Sequence, residues 1–444
     1  MTTETTIFAP ASGFGRAAIS VIRISGPACA PLLSALGGTL PPPRRLSLRR
    51  LRDPADGRVL DQALVAWMPG PATLTGEDMA ELHLHGGLAV RAGVIRALAG
   101  FPGCRAAEPG AFSRRAVLNG RLDLTEAEGI ADLIDAETEA QRRQALRQLE
   151  GALGRQVADW RACAIECLAA TEAALDFSDE GDVDDAALGA ALFNRARDLR
   201  DEIAAALADG RRGERLREGF TVVIAGPPNA GKSTLLNALS RRDAAIVSPV
   251  PGTTRDVIEV RCDLGGLPVL LVDTAGLRET ADAVEAEGIA RTRARMGSAD
   301  LVLELVPPGA TATAAAPPAA PGRVLRVRTK ADLVEEQGES GAGSGLPVSA
   351  LAGLGLDQLL AAIQAEAQAS LGGGDALVTR ERHREALTRC VAHLDRVVGA
   401  GSRELPELVA EDLRLAVRAL GEVGGHVGVE EMLDRLFAGF CIGK

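Results

Sequence analysis

Lysine is nearly absent from this chain of 444 residues. Only three of the 49 basic residues are lysine, at positions 232, 330 and 444, and the rest are arginine. An ammonium is a compact point charge and a guanidinium is a planar fork, so the two are not interchangeable. Lys232 lies in G-P-P-N-A-G-K-S and Lys330 in T-K-A-D, segments that can be recognised without reference to lysine scarcity. The retained lysines therefore indicate chemistry rather than accidental survivors of compositional drift.

Aromatic residues are also scarce. Tyrosine is missing, only two tryptophans and nine phenylalanines are present, and the formal net charge is −11. Few aromatic rings leave little material for stacking unpaired bases, and the negative charge repels polyanions at long range. These features exclude a general nucleic-acid-binding surface, and any contact with nucleic acid must be local.

Long apolar runs and paired cysteine motifs are missing too. The longest apolar stretches, such as 267–272 and 301–306, fall far short of the roughly 18 residues that span a bilayer. The N-terminal segment lacks a basic region followed by an apolar one. Seven cysteines without a C-x-x-C pair argue against a disulfide framework and a structural zinc site. We therefore expect a cytoplasmic protein with no stable membrane insertion.

The rest of the composition is that of a globular protein with two to four domains, since 46% of the residues are apolar and 25% are charged. In the first 115 or so residues, 18–24 and 60–67 are predicted strands. The segment 81–87 alternates polar and apolar residues, which places Glu81, His83 and His85 on one face.

Farther along the chain the pattern changes twice. Residues 122–217 show helical periodicity, 220–370 alternate apolar runs with helical segments as βα units do, and helical sequence returns after 374. This order predicts one helical domain interrupted by an inserted α/β domain. The arginines at 211, 212, 215 and 217 could meet phosphates, although a solvated helix face is the more ordinary interpretation.

The inserted segment begins with a phosphate-binding pattern. Residues 220–225 form an apolar run typical of a buried strand, 226–232 form a glycine-rich loop, and a helical pattern starts at Ser233. In such a loop the backbone N–H groups wrap the β-phosphate. Lys232 would reach the β and γ oxygens, and the hydroxyl of Ser233 would bind Mg²⁺.

Further segments follow in the order that a phosphate-dependent switch requires. Residues 252–256 offer a threonine that can complete the Mg²⁺ shell, and Asp273, in 273–276, offers an outer-sphere carboxylate. Asp332, in 329–332, can accept two hydrogen bonds from guanine that adenine cannot donate. Residues 349–351 are spaced to bring a backbone N–H to the guanine O6. Each segment alone would be interpreted as a turn, but four in this order predict a guanine-nucleotide site.

One position departs from Ras-like switches. Leu277 stands where such proteins place the glutamine that orients the attacking water. Hydrolysis therefore requires a polar group from elsewhere and a substitute for the positive charge of an arginine finger.

Taken together, these motifs resemble the family of bacterial tRNA modification GTPases called MnmE or TrmE, over essentially the whole chain. The segments that carry the resemblance are 13–16 with 23–26, T-G-E-D at 75–78, H-G-G at 85–87, P-G-A-F-S at 109–113, L-D-L at 122–124, 127–134, the nucleotide-site set and F-C-I-G-K at 440–444. The implied fold is a multidomain α/β and α protein with an N-terminal α+β domain, a discontinuous helical domain and an inserted Ras-like P-loop GTPase domain. The boundaries expected are 1–119 for a tetrahydrofolate-binding and dimerisation domain, 120–215 and 376–444 for the two helical parts, and 216–375 for the GTPase domain.

The resemblance also implies the residues of the nucleotide site. Those expected to bind GTP are Asn229, Ala230, Gly231, Lys232, Ser233, Thr234, Ser248, Pro249, Val250, Pro251, Gly252, Thr253, Thr254, Asp273, Thr274, Ala275, Gly276, Thr329, Lys330, Asp332, Ser349, Ala350 and Leu351. Ser233 and Thr254 would bind Mg²⁺, and Asn229, Ser248, Val250 and Thr253 would bind K⁺. Glu285 would orient the catalytic water. From the residues alone, Glu285 would be interpreted as an exposed helix residue.

For the folate site the resemblance implies Arg23, Glu81, Arg121 and Lys444. Arg23 lies between apolar neighbours on a strand and could bind a folate carboxylate or a pterin carbonyl, although a surface strand charge is the commoner case. Arg121 stands where the family usually has lysine. His83 and His85 are interpreted as structural or folate-lining residues rather than metal ligands. A chemical role for Cys441, near Lys444, is a hypothesis.

The activity implied is GTP-dependent modification of tRNA. A homodimer would join an FAD-dependent partner protein of the MnmG/GidA type in a heterotetramer. Together they would add an aminomethyl or carboxymethylaminomethyl group at C5 of the wobble uridine, with 5,10-methylenetetrahydrofolate as the one-carbon donor and 5-formyltetrahydrofolate as its analogue. The alternative is a regulatory RNA-binding GTPase of ribosome assembly, which would not need the N-terminal domain or the C-I-G-K tail.

Two departures bear on nucleotide affinity. Thr329 replaces the asparagine usual before Lys330, so one amide that braces the base and the loop is lost. Pro227 replaces a more typical arginine in the loop. Neither change removes an essential phosphate contact.

Overall fold

A computed structural model of the chain describes residues 5–13, 15–176, 185–242, 245–246, 259–273, 299–309, 323–333, 345–373, 376–400, 406–425, 433 and 436–443. These residues form two compact units. The first contains the described residues within Met1–Ala131, Gln148–Arg200 and Arg389–Lys444, and the second those within Asp132–Arg147 and Asp201–Thr388. In the part of the chain that is described, no helix is both long enough and apolar enough to cross a membrane.

The elements are numbered in chain order. The strands are β1 (Thr6–Pro10), β2 (Ile19–Ser25), β3 (Ser47–Arg52), β4 (Val59–Met68), β5 (Met79–His85), β6 (Cys104–Ala106), β7 (Phe220–Ala225), β8 (Ala245–Ile246), β9 (Glu259–Leu264), β10 (Leu267–Asp273), β11 (Leu301–Val306), β12 (Arg323–Arg328) and β13 (Leu346–Pro347). The helices are α1 (Cys29–Gly37), α2 (Leu88–Ala99), α3 (Ala111–Leu118), α4 (Leu124–Asp135), α5 (Glu139–Leu149), α6 (Ala152–Asp176), α7 (Asp185–Glu218), α8 (Lys232–Ser240), α9 (Leu356–Leu371), α10 (Glu381–Ala400) and α11 (Pro406–Gly424).

The first unit contains a sheet of order β3-β4-β5-β2-β1-β6. Its neighbouring strands are antiparallel except for the parallel pair β1 and β6. Both strands predicted from the N-terminal pattern are confirmed as β2 and β4. On β5, Leu82 and Leu84 are buried while Glu81 and His83 are half-buried, so the predicted division of faces is confirmed as well. The apolar face packs against α1 and α2.

The second unit contains a sheet of order β13-β12-β11-β7-β10-β9-β8. Strands β10, β7, β11, β12 and β13 are parallel, and β8 and β9 extend the sheet antiparallel. The central strand β7 has the bounds predicted from its apolar run, and Val222, Val223 and Ile224 have no exposed surface. A continuous buried run is expected where helices cover both faces of a parallel sheet. Helices α8 and α9 contribute Leu236, Leu359 and other apolar side chains to its core.

The segment 132–147 packs with this second unit. Ala140 of α5 is buried in the core that also contains Phe220, and its N–H donates to the carbonyl oxygen of Gly266 at 3.1 Å. The side-chain amides of Gln141 and Gln144 donate to main-chain oxygens near the end of α7, at 3.0 and 3.2 Å. Within the predicted first helical part, 120–215, the residues 132–147 and 201–215 therefore belong to the second unit. The domain boundaries themselves remain predictions.

A carboxylate shared by two arginines stabilises this packing. Asp132 Oδ1 accepts from Arg217 Nε at 3.0 Å and from Arg380 Nη2 at 2.6 Å, and only 14% of the Asp132 side chain is exposed. The Arg380 side chain is 16% exposed. In such a desolvated cluster the negative charge of the carboxylate compensates the positive charges of the guanidinium groups, which are partly removed from water.

We expect Asp132→Ala to destabilise the second unit by about 3 kcal/mol, because two partly buried guanidinium groups lose the carboxylate that they share. The matched control is Asp357→Ala. Asp357 pairs with Arg242 at the same 2.6 Å, but its side chain is 83% exposed. Its loss should cost less than about 1 kcal/mol. Urea unfolding read by hydrogen exchange and mass spectrometry resolves the peptides of this unit, and equal midpoints for the two variants would contradict the prediction.

Candidate functional site

The loop between β7 and α8 has the backbone geometry of a phosphate cradle. Asn229 has a φ of 62° and Gly231 a φ of 97°, so the chain turns twice through the left-handed region. At Gly226 a Cβ atom would lie 2.9 Å from the carbonyl oxygen of Leu305, so this position requires glycine. The loop is thus held close to β11 and ends directly at the N-terminus of α8. The unpaired N–H groups of a first helical turn favour an anion.

Lys232 lies across this loop. Its Nζ donates to the carbonyl oxygens of Gly226 at 2.9 Å and Pro227 at 3.1 Å. A compact ammonium with three donors can bind both oxygens and keep a donor for a phosphate oxygen, which the rigid fork of arginine does not match. The geometry agrees with the role expected from the rarity of lysine.

Ser233 and Asp273 meet beside the loop. The hydroxyl of Ser233 donates to Oδ2 of Asp273 at 2.7 Å, and Asp273, the last residue of β10, is 4% exposed. A hydroxyl and a carboxylate are the hard oxygen groups that Mg²⁺ prefers. Among the described residues no three His, Cys, Asp or Glu side chains converge on one point. A site of this kind therefore fits an ion completed by phosphate oxygens and water.

The predicted base-binding segments also lie together. The N–H of Ala331 donates to the carbonyl oxygen of Val348 at 3.2 Å, and β13 pairs with β12. Asp332 is exposed, as a base ligand requires. Ser349 is 1% exposed, and its Oγ accepts from the N–H of Ala352 at 3.1 Å, which fixes the loop that carries Ala350 and Leu351.

Thr329 shows the consequence of the departure from asparagine. Its hydroxyl is buried and has no hydrogen-bond partner among the described residues, while its N–H donates to the carbonyl oxygen of Val306 at 3.0 Å. The backbone is therefore placed as the motif requires, but the side chain does not brace the loop.

Several predicted residues cannot be located. Ser248, Pro249, Val250, Pro251, Gly252, Thr253, Thr254, Thr274, Ala275, Gly276, Glu285 and Lys444 lie outside the described residues, as does Leu277. The other predicted nucleotide-site residues, including Ala230 and Thr234 on either side of the helix start, are described and lie on the loop, on α8, or where β10, β12 and β13 end.

In the first unit, Arg23 and Glu81 form an ion pair across β2 and β5. Arg23 Nη2 and Nε lie 3.1 and 3.2 Å from Glu81 Oε1, and the two side chains are 25% and 23% exposed. His83 Nε2 lies 3.4 Å from Glu81 Oε2. The ring of His85 instead contacts Asp61 at 2.8 Å. Both histidines thus have carboxylate neighbours, in agreement with a structural or lining role.

The C-terminal tail lies near the same strands. The carbonyl oxygen of Cys441 accepts from the N–H of Gly110 at 3.4 Å. At Gly443, which has a φ of 97°, a Cβ atom would lie only 2.1 Å from the carbonyl oxygen of Pro10. Pro10 is paired with Ile22 in the β1–β2 ladder, one position from Arg23. The described end of the tail therefore lies next to the strand that carries Arg23.

The arginine cluster near the end of α7 follows the more ordinary interpretation. Arg212 pairs with Asp209 at 3.2 Å, Arg215 with Asp300 at 2.8 Å and Arg217 with Asp132 at 3.0 Å. Arg211 is exposed. Three of the four guanidinium groups are therefore occupied within the protein.

Sequence reasoning missed one polar network in the first unit. Arg115 of α3 is 6% exposed, and its Nη1 donates to Glu77 Oε2 at 2.6 Å. The signal was available, because Arg115 lies on the same helical face as the buried Phe112 and Ala116. An arginine on an apolar face requires a buried acidic partner.

Comparisons with known proteins decide the family. The family model described as the MnmE helical domain matches residues 124–441, and the model described as the GTP-binding protein TrmE N-terminus matches residues 6–121. The tRNA modification GTPase MnmE of Methylorubrum populi is 75% identical over 99% of this chain and 98% of its own. Those of Methylobacterium radiotolerans and Rhodospirillum rubrum are 72% and 51% identical, over 99% and 100% of this chain and 99% and 100% of theirs.

This chain belongs to the MnmE family. The two family-model matches together cover the N-terminal sheet and the region that contains the candidate nucleotide site. Among solved structures, the G domain of the T. maritima FeoB iron transporter is 25% identical over 33% of this chain and 98% of its own, with a TM-score of 0.24, which is too low to establish a shared fold.

We expect Cys441 to be the first cysteine alkylated by iodoacetamide at neutral pH. It is the exposed member of the seven, whereas burial raises the pKa of the Cys167 and Cys262 thiols to about 11 and that of Cys390 to about 12. Because the thiolate is the reactive form, the buried thiols should react only after unfolding. Peptide mass spectrometry over time measures the order, and the urea-unfolded chain is the control. Equal native rates at Cys441 and Cys390 would contradict the expectation.

Proposed function

We propose that this MnmE-family chain is a GTP-hydrolysing enzyme of tRNA modification. The observation that carries the proposal is the convergence of Lys232, Ser233 and Asp273 on one loop at the carboxyl ends of parallel strands. This is the place where open α/β sheets bind ligands. The names of the relatives, tRNA modification GTPase, support the same activity.

The residues of the loop have distinct roles in this proposal. GTP, when bound, supplies the phosphoanhydride bond that is cleaved. The loop N–H groups and the start of α8 hold the phosphates, and Lys232 stabilises the charge on their β and γ oxygens. Ser233 and Thr254 would bind Mg²⁺, and Asp273, which accepts a hydrogen bond from Ser233, would bind water of the ion's hydration shell. Asp332 selects guanine by accepting from its N1–H and exocyclic amine.

Because Leu277 cannot orient water, Glu285 would take that role, and K⁺ would supply the missing positive charge. Asn229 supports the potassium assignment, because it is exposed at a left-handed turn of the loop and has an amide oxygen suited to a monovalent cation. Ser248, Val250 and Thr253 would complete the K⁺ site when two GTPase domains of a homodimer associate.

The N-terminal unit is proposed to bind the one-carbon donor. Glu81 can accept from pterin N–H groups, Arg23 lies beside it, and the tail that ends in Lys444 runs near the same strands. With an FAD-dependent partner of the MnmG/GidA type, in a cytoplasmic heterotetramer, the enzyme would transfer the unit from 5,10-methylenetetrahydrofolate to C5 of the wobble uridine in tRNA. The match to the TrmE N-terminal model favours this function over a ribosome-assembly GTPase. We also propose that the helical domain is discontinuous, with the GTPase domain inserted between its two parts.

Asp332→Asn tests the guanine assignment. The amide cannot accept from both guanine donors, so GTP should bind about a hundredfold more weakly, and xanthosine triphosphate should bind better than to the wild-type protein. Asp357→Asn, at an exposed side chain of α9, is the control. Isothermal titration with the two nucleotides gives both affinities. Unchanged GTP binding by the Asp332 variant would overturn the assignment.

GTP hydrolysis in K⁺ compared with Na⁺ tests the mechanism. We expect hydrolysis to be at least about tenfold faster in K⁺, because the cation supplies charge to the transition state. Asn229→Ala should remove most of this difference while GTP binding persists. Lys232→Ala, in contrast, should weaken nucleotide binding in both salts. Equal wild-type rates in K⁺ and Na⁺ would rule out the potassium mechanism and the role given to Asn229.

A further inference from the structure

Side chains from α3 and from the residues after it form hydrogen bonds with three alternate residues, 73, 75 and 77, in the loop between β4 and β5. This contact, which we call the 73–77 ladder, is formed by three side-chain hydrogen bonds. Arg115 Nη1 donates to Glu77 Oε2 at 2.6 Å, Asn119 Nδ2 to the carbonyl oxygen of Thr75 at 2.6 Å, and Arg121 Nε to the carbonyl oxygen of Thr73 at 3.1 Å.

The Arg115 end of the ladder is the anchor. The Arg115 and Glu77 side chains are 7% and 10% exposed, and the same guanidinium donates to the carbonyl oxygens of Thr5 at 2.7 Å and Ser25 at 3.0 Å. Glu77 also accepts from the hydroxyl of Ser25 at 2.9 Å. A buried charge-assisted network of this kind is rigid, because each group depends on the others for its compensation.

The middle of the ladder brings the loop into close contact with α3 and the residues after it. Gly76 has a φ of 77°, and a Cβ atom there would lie 3.2 Å from Arg121 Cγ and 3.3 Å from Asn119 Cβ. Thr73 Oγ1 donates to the carbonyl oxygen of Glu77 at 2.6 Å, which closes the loop on itself. Asn119 thus holds the loop at Thr75 and Gly76, and the N–H of Gly76 donates to the Thr73 carbonyl oxygen at 3.4 Å.

The Arg121 end of the ladder has unused capacity. Arg121 is exposed, and only its Nε is bonded, so both Nη groups lack a partner among the described residues. Arg23, in contrast, already uses Nε and Nη2 on Glu81. A guanidinium whose Nε is bonded to the protein still presents its two Nη groups side by side, in a planar arrangement that suits a carboxylate. The single ammonium group of lysine cannot make both contacts with this geometry.

We propose that Asn119 is a positioning residue that aims the Arg121 fork at the carboxylate of a pterin-glutamate ligand. The inference rests on the proposed folate function. It assigns the glutamate end of the ligand to Arg121 and leaves the pterin to Glu81, whose carboxylate can accept from ring N–H groups.

The test is calorimetric titration of the purified full chain with 5-formyltetrahydrofolate and with 5-formyltetrahydropteroate, which lacks the glutamate. Arg121→Ala should weaken the first ligand about tenfold to a hundredfold and leave the second nearly unchanged. Asn119→Ala should weaken the first about fivefold when Arg121 is present and have no effect in an Arg121→Ala background. Arg58→Ala, at a 77% exposed side chain of the same unit, is the matched control and should change neither affinity.

Arg121→Lys provides a second route if Asn119→Ala lowers the melting temperature of the N-terminal unit. The lysine retains the charge but cannot use the Thr73 anchor, so adding Asn119→Ala to it should cost nothing more. An equal loss from Asn119→Ala in both backgrounds would overturn the positioning role, and equal losses for the two ligands would overturn the carboxylate assignment. A wild-type chain that binds neither ligand would instead overturn the proposed folate function, and this inference with it.

Discussion

The parallel pairing of β7 with β10 and β11 is the constraint on which the nucleotide site depends. It places Asp273 opposite Ile224 and Glu304 opposite Ala225, so the strands end at the same edge of the sheet. The loop that follows β7 therefore meets the last residue of β10, and the hydrogen bond between Ser233 and Asp273 follows from the register. At the same edge, β12 and β13 bring the Thr329 and Ser349 segments together. Four motifs that are far apart in sequence become neighbours because parallel strands share a direction.

The unequal use of arginine and lysine has a physical basis in the structure. Buried or half-buried carboxylates in both units are paired with guanidinium groups, as at Glu77 with Arg115 and Glu304 with Arg326. These pairs exploit the several fixed donors of arginine, which can reach carboxylate and carbonyl oxygens at the same time. Lys232 lies in a different setting, where one small cation must face two main-chain oxygens and leave room for a ligand. The composition and the three-dimensional contacts thus lead to the same distinction between the two residues.

Local patterns predicted much of the fold and of the site. The bounds of β7 match the apolar run 220–225, α8 begins only one residue before its predicted start, and Arg23 lies on the polar face with Glu81. These features depend on neighbours in sequence. The packing of 132–147 with the nucleotide-site sheet was not predicted. The sequence around Ala140 has an ordinary helical pattern and carries no sign of the contact with Gly266, which is far away in the chain. The partner of Arg121 was also out of reach, since a main-chain carbonyl such as that of Thr73 has no sequence signature.

The hydrogen bond between Ala140 and Gly266 connects helix α5 to the strand that ends at the nucleotide site. Gly266 lies in the turn before β10, and Asp273 is the last residue of the same strand. An extended seven-residue strand covers roughly 23 Å and resists stretching, because its backbone is already nearly straight and bonded on both sides. A sliding movement of the carboxylate along the strand axis would thus push or pull on helix α5 at the far end. Strand β10 therefore links helix α5, at the Gly266 end, to the Asp273 carboxylate beside Ser233 at the other end.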